Sequence, residues 1–184
     1  MDRKANPSST PDWVIRSTTP GSVERIEAWF GGHGYDPHRH DTYSIGRTLA
    51  GVQSFHYKGA LCHGVPGNTL VLHPDEVHDG MAGTEVGFRY RMAYIDPSLI
   101  QNVLGGEPLP FIAGGLSCDP RLYRASEAFV QALDHPLETL EEQDAVCMTW
   151  PWRCVPSVVS HVAANAWTTA APSAPERSSW SICT

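Results

Sequence analysis

The chain has no dense run of basic residues. Lys and Arg number 13 against 20 Asp and Glu, for a formal net charge of -7 and a pI near 5.6. An acidic chain does not gather nucleic acid by its own field, so direct DNA or RNA binding is not expected of it. It also lacks any apolar stretch approaching the ~20 residues that a membrane helix requires. The opening residues, Met1-Asp-Arg-Lys-Ala-Asn-Pro-Ser-Ser-Thr10, are polar and hold no apolar signal core. The five cysteines are odd in number and none falls in Cys-x-x-Cys spacing, which argues against structural zinc and against a disulfide framework. Ser44 has no Gly-x-Ser-x-Gly context, Cys62 and Cys118 have no histidine at motif spacing, and the glycine-rich turns do not follow a phosphate-loop pattern. These absences point to a cytoplasmic protein of a reducing compartment with no membrane segment and no covalent nucleophile.

Glycine and proline are plentiful, 16 and 15 in 184 residues, and they punctuate the first half into short segments. Residues 1 to 11 read as a flexible tail. Trp13-Val14-Ile15 reads as a short strand. Ile26, Ala28 and Phe30 share one face at period two with Glu27 on the other, which predicts a strand over Val23–Phe30, although its helix formers also fit a helix. A long strand is expected from Pro37 through Leu49, then Val52–Tyr57, Thr69–Leu72 and Val86–Ile95. Gly31 to Gly34, Ala60 to Gly64, His78 to Gly80 and Ala82 to Thr84 read as turns or irregular chain. Strands of this length between Gly and Pro turns predict a mainly β sandwich or barrel, over residues 12–97.

Seven of the nine histidines lie between residues 33 and 78. His38 and His40 are two apart, so in an extended strand both imidazoles face one space. His78 closes the stretch that begins at Val65-Pro-Gly, on what reads as a facing strand. Three neutral imidazoles on one wall can hold a divalent metal such as Zn²⁺, Fe²⁺ or Ni²⁺, can orient an organic ligand in a barrel mouth, or can be satisfied interior histidines. His33, His56 and His63 sit at turns and hairpin ends, and His73 beside Pro74 reads as a strand-end cap. Asp41 and Glu76 are candidates to orient the imidazoles from behind, or are simply solvated acids. Tyr90 and Met92 share a face, which either lines a cavity or is plain core.

After Asp96-Pro97 the pattern changes. Ser98–Leu104 predicts a helix closed by Gly105-Gly106. Asp119-Pro120 reads as an N-cap with proline in the first turn, leading a helix over Leu122–Leu133, and Leu137 to Val146 starts another. Residues 98–146 thus form an expected helical linker. From Cys147 to Thr184 the composition breaks. These residues hold four of the six Trp and three of the five Cys but no Leu and no Gly. Out-of-frame translation after a frameshift near codon 146 is the expectation for 147–184. A disordered low-complexity tail is the alternative.

Gly34-x3-His38-x-His40, Gly46, Gly51, Gly59, Pro66-Gly67 and His73-Pro-Asp-Glu-Val-His-Asp-Gly80 together resemble a cupin barrel, and more closely the effector-binding domain of AraC-type transcriptional regulators, over roughly residues 12 to 145. The resemblance implies a jelly-roll-like barrel that binds a small-molecule effector, with His38, His40, His78, Tyr90 and Met92 at the cavity, and helices that form a homodimer. It also implies a C-terminal pair of helix-turn-helix motifs. The tail after 146 has neither the periodic core nor the basic residues for these, so this chain is expected to be truncated and not to bind an operator itself. Cupin enzymes usually place a Glu shortly after the H-x-H pair, where Ser44 and Ile45 stand here. A metal-dependent cupin enzyme, a dioxygenase or isomerase with a three-histidine site at His38, His40 and His78, is the rival expectation.

Overall fold

A computed structural model describes residues 10–17, 23–105, 107–109 and 111–131. The expected N-terminal tail up to residue 9, the linker helix beyond 131 and the atypical segment 147–184 lie outside the described residues. Ten strands and three helices follow in order: β1 (Trp13–Arg16), β2 (Val23–Phe30), β3 (His33–His38), β4 (Tyr43–Gly51), β5 (Gln53–Tyr57), β6 (Ala60–Gly64), β7 (Thr69–Leu72), β8 (His78–Ala82), β9 (Phe88–Ile95), α1 (Pro97–Leu104), β10 (Leu116–Ser117), α2 (Pro120–Ala125) and α3 (Glu127–Gln131). They build two antiparallel sheets, ordered β1-β2-β9-β4-β7-β10 and β3-β8-β5-β6. From β2 to β5 and from β6 to β9 the chain crosses from one sheet to the other at each connection, as in a jelly roll.

The mainly β class read from the Gly and Pro punctuation, and the jelly-roll-like barrel that the resemblance implies, are the ones observed. Several boundaries differ. The long strand expected from 37 to 49 is two strands, β3 and β4, separated by a bend at Asp41 and Thr42. Segments read as turns, Ala60 to Gly64 and His78 to Gly80, are strands. β6 pairs with β5 along its whole length and β8 lies paired between β5 and β3, and that pairing outweighs weak local propensity. The β5–β6 connection is a two-residue hairpin in which Lys58 and Gly59 both take positive φ, 50° and 80°, matching the twist of the flanking strands. The helix expected from 122 to 133 is interrupted at Ser126, which caps α2 before α3 begins.

Each strand of the larger sheet presents two faces. Ile26, Leu70, Leu72, Phe88, Tyr90 and Met92 point inward and pack with Phe55 and Tyr57 of the smaller sheet. The alternate residues point outward, and several are charged yet buried. Glu27 accepts from Arg89 Nε and Arg91 Nε, each at 2.6 Å, so a carboxylate that would be costly alone is forked between two guanidinium groups. Arg47 lies over the Tyr123 ring at 3.9 Å and donates to Ser126 Oγ at 3.3 Å. Arg91 also donates to the Val130 carbonyl at 3.4 Å. These contacts hold α2 and α3 against the outer face of β4 and β9.

His73 does more than end a strand. The Ile112 backbone N–H donates to its Nε2 at 3.0 Å, so in the neutral ring the proton sits on Nδ1 and is donated to the Tyr57 hydroxyl, 2.6 Å away. Phe111 stacks on the ring at 4.7 Å. The segment leading to α2 is therefore pinned to β7 by one imidazole. Burial, assisted by the nearby Lys58 charge, depresses the His73 pKa to about 4. A histidine depressed in the folded state is protonated first in the unfolded chain, whose ring titrates near 6.5. Its contribution to stability is thus complete above about pH 6.5 and is lost as pH falls towards 4. We expect urea unfolding to show stability dropping between pH 7 and pH 4.5 by on the order of 2 kcal/mol from this residue, with a shallower slope in His73→Gln.

Candidate functional site

Between the sheets, at the end where β3, β8 and β9 converge, lies a cavity of about 180 Å³. Ile26, Phe30, Leu72 and Met92 give it an apolar wall, and Tyr35, Tyr90 and Tyr94 give it hydroxyls. Phe30 and Tyr90 stack at 6.3 Å, and Phe88 and Tyr90 at 5.7 Å. Met92 can lie across β4 because the residue facing it is Gly46; a Cβ there would meet Met92 Sδ and the Arg91 carbonyl.

His38, His40 and His78 stand together at this end of the barrel. One ring nitrogen from each lies within 4.8 Å of the other two, and His38 and His78 are paired across β3 and β8 with ring centroids 4.5 Å apart. His38 is exposed, His40 half-buried and His78 buried. The expectation that the two histidines of the H-x-H pair share one strand is not met. His38 ends β3, whereas His40 sits in the following bend, held there because its carbonyl accepts from the Asp75 N–H at 2.8 Å. Tyr35 and His38 both reach the cavity despite their odd spacing. The register shift between them in the β3–β8 ladder resets the alternation, as a bulge does.

Each imidazole is oriented by main chain. His38 Nδ1 is 2.9 Å from the Asp36 carbonyl, His40 Nδ1 is 3.0 Å from the Thr42 carbonyl, and His78 Nδ1 is 3.0 Å from the Glu76 carbonyl. A carbonyl only accepts, so in the neutral rings all three protons are on Nδ1 and all three Nε2 atoms carry lone pairs. Of the two readings of Asp41 and Glu76, orienting groups or solvated acids, these main-chain partners favour the second. The Glu76 side chain pairs with Lys58 at 2.7 Å. Burial lowers the pKa of His40 and takes that of His78 down to about 4, with the other two imidazoles adding to the effect. Ser44 Oγ–H donates to His40 Nε2 at 2.9 Å.

Sequence reasoning missed Tyr35, Tyr94, Ser44 and Arg16. Tyr94 follows from the face of Tyr90 and Met92 carried one step further. Tyr35 is hidden by the bulge and Arg16 by its edge strand. Tyr35 is also held from behind: Gln53 Nε2 donates to its hydroxyl oxygen at 3.1 Å, which leaves the Tyr35 proton to be donated elsewhere. Burial raises the pKa values of Tyr35 and Tyr90, and that of Tyr94 to about 12, so all three are neutral donors at physiological pH. Cys62 is a free thiol whose pKa burial raises. Cys118, for which spacing predicts no partner, is disulfide-bonded. A wider, open depression of about 530 Å³ lies beside Lys58 and Asp79, but its charges satisfy one another through the Lys58–Glu76 and His56–Asp79 pairs.

A family model described as the AraC-like ligand binding domain matches residues 20–147. The chain belongs to this AraC-like ligand binding domain family. No curated protein matches it in sequence. Solved structures similar to it include a cupin superfamily protein from Desulfitobacterium hafniense, with 11% identity over 50% of this chain and 84% of that one and a TM-score of 0.44. A Cupin 2 conserved barrel domain protein from Leptotrichia buccalis has 13% identity over 50% and 44%, at 0.43. Another from Salinispora arenicola has 17% identity over 51% and 83%, at 0.42. Among the described residues of this AraC-like domain, no helix is long and apolar enough to cross a membrane.

The donor set fits a divalent cation. Lone pairs turned towards one another repel unless a positive or donating group lies between them, a role that the Ser44 hydroxyl fills at His40 Nε2, and backbone-anchored Nδ1–H groups are the usual support behind a ligating imidazole. Long-range ¹H–¹⁵N NMR at pH 7.5 should find His38, His40 and His78 all as the Nδ1–H tautomer, before and after addition of zinc. A proton on Nε2 of any of them would contradict the geometry.

Proposed function

We propose that this barrel is the effector-sensing module of an AraC-type transcription regulator, and that its small-molecule effector binds in the cavity against Tyr90, Met92 and the three histidines. The family match supports small-molecule binding. The observation that carries the proposal is that the cavity and the helix anchors share strands. On β9, Tyr90, Met92 and Tyr94 face the cavity while Arg91, between them, holds Glu27 and the Val130 carbonyl. On β4, Ser44 faces the cavity and Arg47 holds α2. A ligand that shifts these strands by a few tenths of an ångström moves the helix seat with them, and so biases whatever arrangement the helices of residues 98–146 adopt in a homodimer.

His38, His40 and His78 would hold Zn²⁺, Fe²⁺ or Ni²⁺, and a bound cation would supply Lewis acidity and positive charge at the cavity mouth. The chain's own part is to keep the three Nε2 atoms unprotonated, to present the tyrosine hydroxyls as donors and to exclude water with Ile26, Phe30 and Met92. A metal-dependent cupin enzyme is the rival, favoured by the same histidines. Oxygen uptake by the iron-loaded protein in the presence of a bound small molecule would favour it.

A small-molecule screen by thermal shift tests the sensor. A true effector at about 100 times its Kd stabilises the fold by roughly 2.7 kcal/mol, and Met92→Trp, which fills the cavity, abolishes that shift. An equal shift in the variant would place the ligand elsewhere. Sedimentation at micromolar concentration should show dimers, and a purely monomeric protein would remove the dimer part of the proposal.

A further inference from the structure

The cavity is rich in donors and poor in negative charge. None of its described lining residues is a carboxylate, and its one charged side chain is Arg16 at the rim, already paired with Glu24. One ring nitrogen of each of His38, His40 and His78 lies within 4.8 Å of the other two, and His38 and His78 line the cavity. A divalent cation held there would bring a +2 charge to a cavity mouth whose described lining supplies no negative charge, and an anion at the site would offset it. The side chain beside this position is Ser44, whose hydroxyl contacts His40 Nε2 at 2.9 Å and brings no charge. Tyr35, Tyr90 and Tyr94 are hydroxyl groups around the same space. Behind them the wall is apolar, and the volume of about 180 Å³ takes a ligand of no more than roughly ten non-hydrogen atoms.

We infer that the cavity takes a small monocarboxylate with an apolar body, whose carboxylate supplies the negative charge that Ser44 does not, beside a divalent cation on His38, His40 and His78. This rests on the sensing proposal above and names the chemical class of its effector. A neutral ligand of the same shape gains the apolar wall but leaves the cation uncompensated. An inorganic anion gains the charge but leaves the wall of Ile26, Phe30 and Met92 wet.

The test uses the full chain, stripped with a chelator and then loaded with one equivalent of Co²⁺, whose visible absorption reports its ligands. Benzoate and propionate are titrated against benzamide and propionamide. We expect the carboxylates to shift the cobalt bands saturably and to bind at least about tenfold more tightly to loaded than to stripped protein, and the amides to bind at least about tenfold more weakly than the acids. Ser44→Glu, which supplies the carboxylate from the chain itself, should retain cobalt and lose the benzoate response. Failure to retain Co²⁺, equal binding of benzoate and benzamide, benzoate affinity indifferent to the metal, or an undiminished response in Ser44→Glu would each overturn the inference. A stripped protein that binds a neutral molecule in a manner blocked by Met92→Trp would overturn it too, yet leave the sensing proposal standing. Ligand responses indifferent to Met92→Trp would defeat the sensing proposal itself.

Discussion

The cavity and the helix seat both depend on the alternation of side chains along β9 and along β4 from Tyr43 to Thr48. An extended strand sends successive residues to opposite faces, and these two central strands use that rule to serve two masters. Tyr90, Met92 and Tyr94 belong to the cavity, whereas Arg91 belongs to the charged outer face with Glu27. The inner set lines the cavity and the outer set meets the helices. No flexible hinge is needed between them, because they are neighbours on one covalent ribbon. A register slip of one residue would put guanidinium groups into the cavity and aromatic rings under the helices, and the forked Arg89–Glu27–Arg91 contacts guard against it.

The chemistry of the cavity follows from desolvation. Imidazoles placed where charge is disfavoured stay neutral, and phenols placed there keep their protons. Main-chain carbonyls then choose the tautomer. Three histidines become a set of inward lone pairs although no acidic side chain touches their Nδ1 atoms, so the carbonyls of Asp36, Thr42 and Glu76 do the work that a carboxylate does in many metal sites. Carbonyls are fixed by the backbone fold, which makes the site depend on the β3–β4 bend and the turn before β8 rather than on replaceable side chains.

Much of this was legible in the sequence, and what was not has identifiable causes. The period-two patterns of Ile26–Ala28–Phe30 and Tyr90–Met92 and the Gly and Pro turns foretold the sandwich. The H-x-H pair with a later histidine foretold the cluster. Strands such as Ala60–Gly64 and His78–Ala82 were invisible because their identity comes from partners across the sheet, not from their own residues. Tyr35 escaped because a bulge breaks the alternation on which pattern reading relies. His73 looked like a strand end because its partners, Tyr57 and the Ile112 N–H, lie far off in the chain. Sequence left Asp41 and Glu76 open as orienting groups or solvated acids because it shows acidic side chains plainly and backbone carbonyls not at all.

The tie between His40 and Asp75 has a bearing on how the protein is made. His38 and His78 are forty residues apart in the chain, and they meet only when β3 has paired with β8. That pairing closes a loop containing β4 to β7, an ordering step whose entropy must be met before any local contact rewards it. A ribosome-bound or partly folded chain therefore holds no assembled site. On the proposed function, ion and effector would be captured only by a completed barrel.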